Sequence, residues 1–352
     1  MTAAIAHTEP SRPRYPTLPE GFAELSNRIK AAGLLEPQRA YYALKVPANL
    51  LLLGVGWAAV VLLRDSWWVL AAAAYMAFAY GQTGFVGHDI GHRQVTHSRR
   101  GQDLLGLVHG NLLLGFSYGW WVGHHNKHHS FPNHLEKDSD ITRRRAIFIP
   151  EQGYNRPGRA KQFIVRHQHV LFYPLLVTEG VGLRTESIKA LVRRLPRLTA
   201  IEATLIGVHL TAYFTALFWL LPPTQAIAFI LIQNMLFGLY MGAVFAPNHK
   251  GMPIQMPDEE WDWLTRQVVT SRNIRSSYLT DFMYGGLNYQ IEHHLFPTMP
   301  RRSLRRARPI TLAYCAEVGL PYHEVGAVRS YVEVITHLYR TTKAYQLSLA
   351  GR

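Results

Sequence analysis

One cysteine in 352 residues is the first limit on this chain. Cys315 alone closes no intrachain disulfide and furnishes neither a four-thiolate iron–sulfur cluster nor a structural zinc site. The functional half therefore belongs on the reducing, cytoplasmic side of a membrane. Acidic residues are also scarce, 23 against 37 Lys and Arg, which leaves a formal net charge of +14 and a pI near 9.9. The basic residues form no DNA-reading motif. They flank apolar blocks, at 184–197 and in Arg301-Arg-Ser-Leu-Arg-Arg-Ala-Arg308, a placement suited to anionic lipid headgroups and not to nucleic acid. The first forty residues show neither the apolar core nor the cleavage site of a secretory signal.

Charge is almost missing from four long runs. A mean hydropathy of −0.04 averages these apolar stretches with very basic ones. Runs at about 46–63, 67–86, 201–221 and 225–246 have the length of a membrane-spanning helix, and the third carries only Glu202 and His209 as ionisable groups. Leu104–Phe116 and Val170–Val181 are shorter and read as buried or interfacial helices. The turns 64–66 and 222–224 together hold one arginine and one aspartate, whereas the other connections are rich in Lys and Arg. By the positive-inside rule both turns face outward and both termini are cytoplasmic. The expected fold is an all-α membrane protein, four transmembrane helices as two hairpins, with a cytoplasmic helical cap carrying a di-metal site.

Around that unit, placed at 41–325, the sequence suggests an N-terminal tail (1–40) and a C-terminal tail (326–352). Thr17-Leu-Pro-Glu20 has the pattern of a capping box. It would open a short helix with Phe22, Leu25 and Ile29 on one face and Gly33 at its end. The pattern leaves open whether this face lies on the membrane or packs on the rest of the chain.

What the chain does have is histidine, eighteen in all. Eight fall in three clusters and one singleton at the ends of apolar stretches: His88 and His92; His125, His128 and His129; His293 and His294; and His249. Residues at i, i+3 and i+4 share a helix face, so each cluster aims its imidazoles one way. Eight imidazoles are too many for one ion and about right for two. His124 lies about 100° from His125 around a helix, so one of the two faces the site, and His125 completes the i, i+3, i+4 triplet. His97, His109, His167, His169, His209, His323 and His337 read as ordinary core or interface histidines; His134 is ambiguous. Imidazole suits zinc, copper, iron and nickel alike, and nitrogen-rich ligation for two ions without thiolates fits non-haem iron handling oxygen. Acceptors for the second ring nitrogens are expected among Asp89, Asp138, Asp140 and Glu292, with Asp281 also adjacent. Asn248 and Gln290 are further neighbours of the ions. Gln290 stands where repetition of the second cluster would place a histidine; its amide is a poor iron ligand, and His249 is placed to replace the missing imidazole.

The pattern HxxxH, HxxHH, QxxHH, separated by apolar hairpins, resembles the integral-membrane fatty-acid desaturases, most closely the acyl-lipid and front-end branch. The residues that carry it are Gly87–His92, Trp120–His129, Pro132-Asn133, Asp138–Ile141 and Gly285–Pro297, and the similarity runs from about 40 to 325. The resemblance implies iron ligands at His88, His92, His125, His128, His129, His293 and His294, with His249 as the extra histidine after the last span and Gln290 near the iron. It implies two non-haem Fe ions, O2, and a fatty-acyl substrate. Front-end regiochemistry is analogy alone. No His-Pro-Gly-Gly haem-domain signature is present. Electrons are thus expected from NAD(P)H through a separate ferredoxin or small haem protein with its reductase. Arg193, Arg194, Arg301, Arg302, Arg305 and Arg306 offer a basic docking surface for such a carrier. Trp120, Trp121, Phe131 and Tyr289 are candidates for the acyl tunnel wall. Two rival readings are a membrane di-iron hydroxylase or monooxygenase and a histidine-rich metal transporter. The nearly clean spans disfavour the transporter.

Overall fold

The computed structural model describes residues 15–350 apart from 97, 143–145, 151, 153–157 and 194–196, so His97 and Arg194 lie outside the described residues. The described chain is mostly helical. Its helices, in order, are α1 (Gly21–Ala31), α2 (Arg39–Leu63), α3 (Val69–Gly91), α4 (Arg99–Gly106), α5 (Tyr118–Ser130), α6 (Ser139–Thr142), α7 (Arg159–Arg166) and α8 (Gln168–Leu175). There follow α9 (Glu179–Arg193), α10 (Arg197–Leu220), α11 (Pro223–His249), α12 (Trp263–Val269), α13 (Tyr278–Met283), α14 (Gln290–Leu295), α15 (Arg301–Glu317) and α16 (Ala327–Ala350). A π-helical segment, Leu107–Leu113, continues α4. One short parallel pair joins β1 (Asn273–Ile274) to β2 (Glu324–Val325).

Among the described residues, four helices are long and apolar enough to cross a membrane: α2, α3, α10 from Thr199, and α11. The inner two are α3 and α11, whose most apolar windows are 67% and 39% buried, against 22% for α2 and for α10. Small residues explain the difference, because they let helix backbones approach closely without the help of water. A Cβ on Gly238 of α11 would stand 2.8 Å from the Leu176 carbonyl, so only glycine admits that contact. The spans pack through Val60, Met76, Tyr80, Leu217, Phe229 and Phe237. A second core, formed by α1, α12, α14 and α15, buries Leu25, Ile29, Leu264, Val268, Leu295 and Leu304.

Several boundaries differ from the sequence reading; α2 starts at Arg39, well before 46. α3 runs beyond 86 to Gly91, with His88 in its last turn and His92 at its C-cap, and α11 runs beyond 246 to His249. α1 begins at Gly21 with Glu20 at its N-cap and no side-chain cap, so the expected Thr17 capping box does not form. Its apolar face packs on the second core, with Leu25 and Ile29 buried, and Gly33 ends it at φ +66°. Residues 327–350, expected as a tail, form helix α16, which buries Val334, Leu338 and Tyr345.

Candidate metal centre

Four elements converge on one buried point: the last turn of α3, the last turn of α11, the middle and end of α5, and α14. They bring eight imidazoles into two groups. His88, His92, His125, His129 and His293 form one; His128, His249 and His294 form the other, each group with its candidate donor atoms within 4.8 Å of one another. The i, i+3, i+4 spacing on α5 puts His125 and His129 in the first group and His128 in the second, so this helix serves both. His124 turns away and bonds Asp140 at 3.0 Å.

The separations are those of a coordination shell. His88 and His125, His125 and His129, and His129 and His293 each place their Nε2 atoms 3.1 Å apart; His128 and His249 place theirs 3.3 Å apart. Imidazole nitrogens about 2.1 Å from a metal ion stand roughly 3.0–3.4 Å from one another at octahedral or tetrahedral angles. Nε2 of His92 and of His294 are buried with no hydrogen-bond partner among the described residues. A buried polar atom left so costs about 1–3 kcal/mol unless something is bound to it. All-nitrogen donors, orphaned lone pairs and a polyhedral spacing together fit a pair of non-haem metal ions.

Tautomers are set from outside, most completely around the three-histidine group. Asp138 accepts from His128 Nδ1 at 3.0 Å, the Thr270 carbonyl from His249 Nδ1 at 3.0 Å, and Gln267 Oε1 from His294 Nδ1 at 3.0 Å. In each case the proton is held on Nδ1 and the Nε2 lone pair faces inward. Gln267 also donates to the His129 carbonyl at 3.1 Å, and Asn133 to the His249 carbonyl at 3.0 Å. Arg272, wholly buried, pairs with Glu333 at 3.1 Å and donates to the Pro247 and Lys250 carbonyls, fastening the end of α11. Burial chiefly, with neighbouring imidazoles adding to it, holds the pKa of His125, His129, His293 and His294 well below 6.5 and that of His92 near 3. His128 goes the other way: burial lowers it, but the Asp138 carboxylate more than offsets this and raises it.

The remaining sequence candidates divide. Asp138 contacts a ligand-group imidazole directly. Asp140 lies 3.9 Å from His128 Nδ1 and is bonded to His124 instead. Asp89 lies 3.8 Å from His88 Nδ1 but is spent on Arg301 at 2.9 Å and Tyr42 at 3.1 Å. Glu292 accepts from Asn273 at 2.8 Å and Tyr322 at 2.7 Å, contacts that lock α14, and burial pushes its pKa up to about 6. Asn248 donates to Gln290 Oε1 at 3.0 Å, which leaves the Gln290 amide nitrogen 2.9 Å from His249 Nε2. Gln290 thus presents N–H, not a carbonyl ligand, to the site. Asp281 bonds Tyr289 and Asn288, away from the imidazoles. His109, His209 and His337 bond backbone carbonyls, as ordinary interior histidines do. Gln267, Thr270 and Arg272 were not singled out by sequence; no local spacing links them to the clusters they hold.

An apolar cavity of ≈ 180 Å³ opens against the imidazoles. His88, His125, His128 and His249 form part of its wall, Gly84, Leu114, Phe116, Phe237 and Met241 give most of it an apolar lining, and Asp140, Glu179 and Lys250 also reach it. Trp120 and Trp121 are in this wall, Trp121 stacked 4.5 Å over His125. Phe131 and Tyr289, the other two tunnel candidates, are not: Phe131 packs beside His134 under Arg266, and Tyr289 is buried in the second core. Arg301, counted with the docking surface, is buried against Asp89, so the exposed basic face reduces to Arg302, Arg305 and Arg306 on α15, with Arg193 elsewhere.

The family described as fatty acid desaturase matches residues 65–326. Over 345 residues the chain is 30% identical to the Acyl-lipid (9-3)-desaturase of Physcomitrium patens, covering 94% of this chain and 64% of that protein. It is 30% identical over 317 residues to the Delta(6)-fatty-acid desaturase fat-3 of Caenorhabditis elegans (86% and 70%). With the Delta(8)-fatty-acid desaturase of Helianthus annuus the identity is 31% over 279 residues (74% and 60%). The chain therefore spans less than two thirds of the Physcomitrium and Helianthus proteins.

Proposed function

Because the chain belongs to the fatty acid desaturase family, we propose that it introduces a double bond into a fatty-acyl chain, using O2 and two non-haem iron ions. One observation carries this reading: the imidazole cluster forms a wall of a predominantly apolar cavity, so a hydrocarbon lying there passes directly beside the imidazole nitrogens. His88, His92, His125, His129 and His293 would hold one iron, and His128, His249 and His294 the other. When bound, the irons supply the oxygen chemistry that an unactivated C–H bond requires. The chain's own residues do the rest. Asp138, Thr270 and Gln267 keep three imidazoles in the ligating tautomer. Burial keeps His92, His125, His129, His293 and His294 neutral, which favours metal over proton. Leu114, Phe116, Phe237 and Met241 exclude water and grip the methylenes, so their shape fixes which carbons lie nearest the site. The Gln290 N–H points at the three-histidine position, placed to donate to an oxygen held there.

The relatives named for the Delta(6) and Delta(8) positions support front-end placement of the new bond, between an existing double bond and the carboxyl end. The protein is an integral membrane protein. The four spans form two hairpins whose turns face outward, and both termini and the metal site lie on the cytoplasmic side; sparse charge in the turns and the basic remaining connections support this. Electrons come from a separate carrier, for which Arg302, Arg305 and Arg306 offer a complementary surface.

Expression in a host fed defined polyunsaturated acyl chains, with fatty-acid profiling, tests the activity. A new double bond on the carboxyl side of an existing one is expected. Alanine at His88, His128 or His294 should abolish it while membrane expression persists. A hydroxylated product in place of an alkene, or full activity in His294→Ala, would contradict the proposal.

A further inference from the structure

A carboxylate in a membrane span is costly and calls for a reason. Glu202 sits in the first turns of α10 and is only 6% exposed. Its carboxylate accepts the backbone N–H of Gly119 at 2.7 Å and the Ser117 hydroxyl at 3.1 and 3.2 Å. Those residues begin α5, the helix that carries His125, His128 and His129. The first N–H groups of a helix have no partner within it. Here each of the first three has its own acceptor: Tyr118 N–H donates to Asn111 Oδ1 at 3.2 Å, Gly119 N–H to Glu202, and Trp120 N–H to Ser117 Oγ at 3.1 Å. The Ser117 N–H is taken by Ser187 Oγ of α9. The other ionisable group of the span, His209, bonds the Leu112 carbonyl at 2.9 Å, one more tie to the segment that leads into α5. The carboxylate and the imidazole of this span are thus both spent on the start of one helix.

We infer that Glu202 is a positioning residue for the metal centre: it fixes α5 along and about its axis, and with it the three imidazoles that this helix divides between the two ion positions. The negative charge at the positive end of α5 adds a favourable dipole interaction to the hydrogen bonds. The position of Gly119 fits the same device. A Cβ there would stand 3.3 and 3.4 Å from the two carboxylate oxygens and would push the contact apart. A turn of α-helix rises about 5.4 Å, so slippage at residue 119 is carried rigidly to His125 and His128. The three-histidine group has the fewest donors and tolerates the displacement of His128 least.

This inference rests on the two-metal reading, and Co(II) titration of the purified full chain, followed by visible absorption, separates the two. Wild type is expected to take up two Co(II) ions per chain, one per histidine group. Glu202→Ala should weaken the second by about 10- to 100-fold, the usual effect of removing an outer support, and alter its absorption bands. Glu202→Gln keeps an acceptor oxygen for Gly119 and should restore near wild-type uptake and spectrum. Gly119→Ala removes no charge, displaces the carboxylate, and should weaken the second ion as well; it decides the matter if Glu202→Ala is not recovered folded. Wild-type affinity and spectrum in Glu202→Ala and Gly119→Ala would overturn the role of Glu202 alone. Fewer than two ions in the wild type would overturn the two-metal reading and this inference with it.

Discussion

Asp138→Asn separates the role of one carboxylate from that of the imidazoles it supports. Asp138 is fully buried, and among the described residues its two oxygens serve at least three donors: His128 Nδ1 at 3.0 and 3.1 Å, the Asn133 N–H at 2.8 Å and the Asp140 N–H at 2.8 Å. An amide of the same shape offers one acceptor oxygen and an NH2 group. One of the three donors must then face another donor, at a cost of about 1–3 kcal/mol. The least costly escape is for His128 to move its proton to Nε2 and accept through Nδ1, which takes away the lone pair that faces His249. Removing an outer-shell partner typically weakens a metal site about 10- to 100-fold, or roughly 1.4–2.7 kcal/mol. Competition titration against a chromophoric chelator reads this directly: affinity at the three-histidine group should fall by that factor while the five-histidine group is unaffected. Asp140→Asn is the control, because Asp140 is bonded to His124 outside both groups. Equal affinities in Asp138→Asn and wild type, or an equal loss in Asp140→Asn, would refute the reasoning.

Gly84→Leu places four carbons in the cavity wall on α3, where leucine also has the better helix propensity. Thermal stability should hold or rise while turnover of long acyl chains drops sharply; undiminished turnover would show that substrate lies elsewhere. Arg301→Ala leaves Asp89 as an unpaired buried charge and should cost about 3–5 kcal/mol in unfolding, whereas Arg302→Ala should stay within about 0.5 kcal/mol. Equal effects would contradict the buried placement of Arg301. For metal-free protein, His92 has a folded pKa near 3 against 6.5 unfolded, with His125, His129, His293 and His294 also lowered. The unfolded chain therefore binds more protons below 6.5, and the stability present above that pH is lost as pH falls toward 3. His128 and Glu292, both raised, oppose this as two groups against five. A melting temperature that does not fall between about pH 7 and pH 5 would contradict it.

The spans were legible because no charge interrupts their apolar runs, and the ligand groups because i, i+3, i+4 spacing is local geometry. The choice of His125 over His124 rested on its completing the i, i+3, i+4 triplet with His128 and His129. What supports those histidines was less visible. Asp138 lies near its partner in sequence, but Gln267 and Thr270 reach the imidazoles only through the packing of α12 against α14 and α11. Arg301 was counted with the surface arginines because composition does not say which face of α15 turns inward; the helix buries Arg301, Leu304 and Ala307 and leaves Arg302, Arg305 and Arg306 outside. Helix α16 escaped notice because its buried face mixes Val334 and Leu338 with Ser330, Thr341 and Thr342, which blurs the apolar stripe. Glu202 and His209 stood out at once as ionisable groups in a span. Their purpose required knowing that the start of α5 lies beside them.

Iron analysis with anomalous scattering, on protein reconstituted anaerobically, tests the central claim most directly. The account predicts two iron atoms per chain, one among His88, His92, His125, His129 and His293 and the other among His128, His249 and His294. A single tightly held iron, or a second one bound away from His128, His249 and His294, would contradict it.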